Sequence, residues 1–117
     1  MSIAAYQQAV KRHETPRETE WRAFQTVTSA LVRVVEEKGQ NAAARVEAIS
    51  RNRTLWALLA DDCAQPDNQL PAPLRGQIVS LALWVNRASR EAMTNLAAVT
   101  DLITVNRSIM EGLSGRP

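Results

Sequence analysis

Apolar residues recur once per helical turn through most of this chain. Trp21, Phe24, Thr28, Leu31 and Val35 form one stripe, widened by Val27 and Val34, and Gly39 interrupts it. That spacing belongs to an amphipathic helix, because residues three and four apart share a face. Thr15-Pro16-Arg17-Glu18 predicts where the helix starts. The Thr and Glu side chains can satisfy each other's orphan backbone donors, and proline suits the first helical position. A shorter stripe of Ile3, Tyr6 and Val10 comes before it, with Ser2 as a cap. A helix that short is marginal alone and must dock on something.

Asn41 predicts the cap of the next helix, whose inward positions are Val46, Ile49, Asn52, Trp56, Leu59 and Cys63, and Pro66 ends it. Residues 64–73 read as a loop, since prolines restrict the residues before them and Asp67-Asn68 tolerate turn conformations. A further helix enters near Pro71 or Pro73 and carries Leu74, Ile78, Leu81, Val85, Ala88 and Ala92 at core spacing, with Trp84 alongside, before fading around Asn95. Thr100 is expected to cap a last helix presenting Leu102, Val105, Ile109 and Leu113, with Gly112 forming a left-handed C-terminal cap. Period-two alternation and β-branched runs are missing, so strands are not expected. The pattern predicts an all-α protein: one domain over residues 1–117, built as a small bundle of about five helices. Its expected core is Trp21, Phe24, Leu31, Trp56, Leu59, Ile78, Leu81 and Trp84.

Composition narrows the class. Hydrophobic residues make up 45% and charged residues 22% of the 117, which suits a folded protein and argues against wholesale disorder. Aromatic residues are only 4%, so the tryptophans act as bulky anchors among closely approaching, alanine-rich helices. A net charge of +2 is too weak to indicate a nucleic-acid or membrane surface, and the arginines are interleaved with glutamates rather than gathered in a stripe. The N-terminus lacks the pattern of a signal peptide, and no apolar run approaches the ~20 residues that span a bilayer. A cytoplasmic protein without membrane insertion is expected.

Candidate chemistry is sparse. No phosphate-binding Gly-rich loop, Gly-x-Ser-x-Gly turn or His-Glu-x-x-His is present, so neither an enzyme nor a cofactor is expected. The single Cys63 excludes an internal disulfide, and the lone His13 leaves no Cys/His set for a structural metal. Cys63 continues the apolar spacing of its helix and reads as a packed thiol. Asp61 and Asp62 sit in a helix's last turn, where carboxylates oppose the dipole, so a cation from the facing helix, Arg75 or Arg87, is expected to meet them. The pair Asn-Arg occurs at 52–53, 86–87 and 106–107. Mid-helix asparagine is a poor helix former, so each Asn either makes a hydrogen bond across helices or simply faces solvent.

Several of these segments appear together in an order that resembles the FlaF family of flagellar regulators. They are Ala5-Tyr6, then Pro16-Arg17-Glu18-Thr19-Glu20-Trp21-Arg22-Ala23-Phe24, then the two Leu-Trp halves joined through Pro66 and Pro71-Ala72-Pro73, and finally Asn106-Arg107-Ser108-Ile109-Met110-Glu111-Gly112-Leu113. The resemblance implies a role in flagellin production and export, counterbalancing the translational repressor FlbT and acting as a flagellin-specific secretion chaperone. The implied partners are flagellin and, beyond it, a FlbT-like regulator or the flagellar export apparatus. A chaperone of this kind shields apolar helix faces of the unassembled subunit in a groove of its own. On that view Ile3, Tyr6, Val10, Leu102, Val105, Ile109 and Leu113 border the partner surface, the competing possibility being that they close the bundle. An alternative function is direct binding to flagellin messenger RNA. Twelve arginines against two lysines suit either kind of partner.

Overall fold

The computed structural model describes residues 15–114, which form α1 (Pro16–Glu36), α2 (Ala42–Cys63), α3 (Ala72–Ala92) and α4 (Leu96–Leu113). The architecture is all-helical over these residues, with four helices where about five were expected. The additional helix, built on Ile3, Tyr6 and Val10, lies outside the described residues. Each helix packs on its neighbours in sequence, and α1 closes the ring against α4. Short connections therefore produce an antiparallel four-helix arrangement.

The helix ends follow local chemistry. Thr15 and Glu18 form the anticipated capping box, with Thr15 Oγ1 accepting from the Glu18 amide at 3.2 Å and Glu18 Oε2 accepting from the Thr15 amide at 3.3 Å. At the other end of α1, Gly39 N–H bonds to Val34 O and Lys38 N–H to Val35 O. This is the pairing of a Schellman motif, and it requires left-handed backbone: Lys38 has φ 57° and Gly39 φ 68°. Asn41 caps α2 through its side chain, which accepts from the Ala44 amide at 3.0 Å.

Two expectations at the C-terminal half are corrected. Asn95, not Thr100, caps the last helix, by accepting from the Ala97 amide at 3.0 Å, so α4 starts a full turn earlier. Asparagine ended the apolar stripe of α3 and therefore read as a fading terminus, whereas it opens the next helix. Gly112 is not a left-handed cap either, because α4 runs through it to Leu113. Its missing side chain instead accommodates α3: a Cβ there would lie 3.3 Å from Leu74 Cδ1.

The core runs through all four helices. Phe24, Leu31, Trp56, Leu59 and Ile78 are buried as expected, while Trp21, Leu81 and Trp84 are half-buried and pack against its edge. Phe24 meets Trp56 edge-on, with ring centroids 5.2 Å apart. Val46 departs from its expected inward position and is exposed, because the stripe of α2 begins at Ala48 and Ile49. Among the described residues, no helix is long and apolar enough to cross a membrane.

Candidate functional site

Three polar features organise the bundle around a groove. The first lies at its centre. Asn52 of α2 and Asn106 of α4 are fully buried, and Asn106 is the hub of a hydrogen-bonded layer. Its Nδ2 donates to Asn52 Oδ1 at 2.7 Å and to Thr28 Oγ1 of α1 at 3.0 Å, while its Oδ1 accepts from Trp56 Nε1 at 2.8 Å. Every polar atom of Asn106's side chain is thus used, whereas Asn52 Nδ2 is buried without a partner. The remaining Asn-Arg pair, Asn86-Arg87, also bridges helices, since half-buried Asn86 accepts from Arg53 Nε at 2.6 Å. All three asparagines therefore hold helices together.

The second feature is the α2–α3 joint. Arg75 does not meet Asp61 or Asp62: its Nε donates to Cys63 O at 3.0 Å and its Nη2 to Gln65 O at 3.1 Å. Among the described residues, neither Arg75 nor Arg87 forms an ion pair with either aspartate. The expected cation has come, but to carbonyls at and just beyond the helix terminus, where the negative end of the dipole lies. Asp62 Oδ2 accepts instead from Asn68 Nδ2 at 3.1 Å, and Asn68 Oδ1 accepts from the Leu70 amide at 2.9 Å, which folds the loop.

Close to this joint is the third feature, the carboxyl of Glu20. Glu20 is 8% exposed. Burial, with the neighbouring Asp62 charge next in importance and Arg17 acting in opposition, raises its pKa from 4.5 to about 7. Cys63, also buried, has its thiol pushed up to about 11 by burial, with the charges of Glu20 and Asp62 adding to the effect. The thiol is packed in the core, as the apolar spacing of its helix predicts.

Outside this framework, a groove follows the seam between α1 and α4. One cavity of about 1100 Å³ lies over Trp21 and Met110, flanked by Arg17, Arg22 and Arg107. A second of about 520 Å³ extends it towards Val32, Arg33 and Glu36, sharing Gln25, Arg107 and Met110 with the first. Thr28 links the groove to the core: its hydroxyl accepts from Asn106 and lies 4.0 Å from Met110 Sδ. Glu18 and Glu111 also border the groove, but Glu18 is turned into the capping box.

The residues expected to border a partner surface are placed differently. Leu102, Ile109 and Leu113 are at most 3% exposed, and Val105 is half-buried and packs on the core. They close the bundle, the alternative that periodicity left open, because α4 is ringed by α1 and α3. Ile3, Tyr6 and Val10 lie outside the described residues. The groove residues Trp21, Arg107 and Met110 carry no binding signal in the sequence. Periodicity assigns a half-exposed Trp or Met to the core, and only the α1–α4 pairing brings them together.

The described residues thus form a small helical bundle with a buried polar layer and an open interhelical groove as its candidate binding surface. Comparison with known families gives that bundle a specific form. The family described as flagellar protein FlaF matches residues 2–113, and the chain belongs to the FlaF family. No curated protein and no solved structure matches.

Proposed function

We propose that this FlaF-family protein is a cytoplasmic adaptor that binds unpolymerised flagellin as an export chaperone and thereby promotes flagellin synthesis and secretion. The observation that carries this is family membership over nearly the whole chain. The architecture is compatible with it. A bundle of four helices offers grooves between antiparallel neighbours, and a groove over Trp21 and Met110 is suited to an apolar helix face. Ordering a flexible flagellin segment costs several kcal/mol, roughly 2 to 5, which keeps the complex releasable at the export apparatus.

The test is a pull-down of the full chain with full-length and terminally truncated flagellin, followed by amide-exchange mapping. Capture that survives moderate salt and disappears with one flagellin terminus is the expected result. No capture at micromolar concentration would refute the proposal. A shift with flagellin leader RNA that collapses as ionic strength rises would move the function to messenger binding.

A further inference from the structure

We propose that the α1–α4 groove is the docking site for an amphipathic helix that carries carboxylates beside its apolar stripe; this assignment rests on the chaperone role above. The floor is supplied by Trp21 and Met110, side chains that combine large contact area with adaptability. Its middle is cationic. Arg107 stands where the two cavities join, is exposed, and makes no ion pair among the described residues. Arg17 and Arg22 flank the wider cavity and Arg33 the narrower one. Three acidic groups also line the groove: Glu18 is held in the capping box, Glu36 is in the last turn of α1, and Glu111 is in the last turn of α4. An arriving carboxylate therefore meets the Arg107 guanidinium where the two cavities join. The guanidinium fork matches a carboxylate in two parallel hydrogen bonds.

Other exposed apolar side chains fit the role less well. Leu83 and Val79 stand on the outer face of α3, which contributes nothing to the groove. They serve as the control surface.

The experiment titrates monomeric flagellin into the full-length protein and into its Arg107→Glu, Arg107→Lys and Leu83→Glu variants. Circular dichroism and thermal midpoint verify that each variant is folded. The expected result is at least a tenfold rise in Kd for Arg107→Glu, a smaller rise for Arg107→Lys, and little change for Leu83→Glu. Amide exchange is expected to slow in α1 and α4 on binding. If the wild-type chain does not bind flagellin, the chaperone role fails and the groove assignment fails with it. If binding persists in Arg107→Glu but is lost in Leu83→Glu, the role stands and the groove is overturned in favour of the α3 face. A flagellin-free dimer that Arg107→Glu dissociates would assign the groove to a second copy. Protection of α1 and α4 that is already complete without flagellin and depends on residues 2–14 would assign it to the chain itself. Either outcome overturns the proposal.

Discussion

The central polar layer predicts an asymmetry between two residues that look equivalent in sequence. Replacing Asn106 by Leu removes the sole acceptor of Trp56 Nε1–H and leaves Asn52 with no partner at either polar atom. Two buried groups are stranded, and each costs about 1 to 3 kcal/mol, so the loss is expected at about 3 to 5 kcal/mol. That is a large share of the roughly 5 to 15 kcal/mol available to a small domain. Replacing Asn52 by Leu has a different balance. It strands one amide hydrogen of Asn106, which keeps Trp56 and Thr28, and it removes an Nδ2 that is already buried and unpaired. The two terms are similar in size and opposite in sign, so the net change is expected within about 1 kcal/mol. Urea unfolding followed by tryptophan fluorescence and circular dichroism measures both. With a slope of about 1.5 kcal/mol per molar, Asn106→Leu should lower the midpoint by about 2 M or more, and Asn52→Leu by well under 1 M. The double variant should be no worse than Asn106→Leu alone, since Asn52 then has nothing left to lose. Equal costs for the two single variants, or a larger cost at Asn52, would refute the assignment of Asn106 as the hub.

Three further expectations rest on the same geometry. Because the Glu20 carboxyl is raised from 4.5 to about 7, the folded state holds a proton that the unfolded state releases between those values. Stability should therefore fall as pH rises across that window and level off above it, and Glu20→Gln should abolish this slope, stabilising the protein at pH 8 by on the order of 2 kcal/mol; parallel pH profiles for the two proteins would count against it. Gly76 is a helical position with nothing within 4 Å of a built Cβ, so Gly76→Ala should raise the thermal midpoint by up to about 1 kcal/mol equivalent, whereas Gly39→Ala, at φ 68°, should lower it by about as much. Arg75→Met should cost about 1 to 3 kcal/mol, chiefly by taking the donor from the Cys63 carbonyl, since Gln65 O keeps the Asn68 amide at 3.2 Å, and a double-mutant cycle between Asp62 and Arg75 should show coupling below about 0.5 kcal/mol.

Helix positions were legible in the sequence where they depended on neighbours a few residues away. Thr15 and Glu18 reveal a capping box because both partners lie within one turn, and the stripe from Phe24 to Leu31 reveals a buried face because its period is local. Legibility fails where an outcome is decided across helices. Leu102, Ile109 and Leu113 have the spacing of any amphipathic stripe, and whether that stripe meets this chain or another depends on α1 and α3 closing over it. The aspartates at the end of α2 implied a cation nearby but not which acceptor would take it, since carboxylate and terminal carbonyl attract the same guanidinium. Asn106 could be seen as an unfavourable helix residue, but only the arrival of Thr28, Asn52 and Trp56 explains why it is there.

The buried layer also bears on how the groove keeps its shape. Alanine-rich helices with repeating apolar stripes can slide past one another by a turn, about 5.4 Å, and still bury similar apolar surface, so apolar contacts alone specify register weakly. Here such a slip of α4 against α1 would part Asn106 from Thr28 and leave Trp56 Nε1–H without its acceptor. Stranding those groups costs more than an apolar exchange returns, so the layer selects one register. In that register Thr28 Oγ1 lies beside Met110 Sδ, and Met110 shares the groove with Trp21. A groove held in this way needs little rearrangement to receive a helix, and the energy of contact can go into affinity instead of ordering the receptor. The asparagine that weakens α4 as an isolated helix thus fixes the seam along which a partner is proposed to dock.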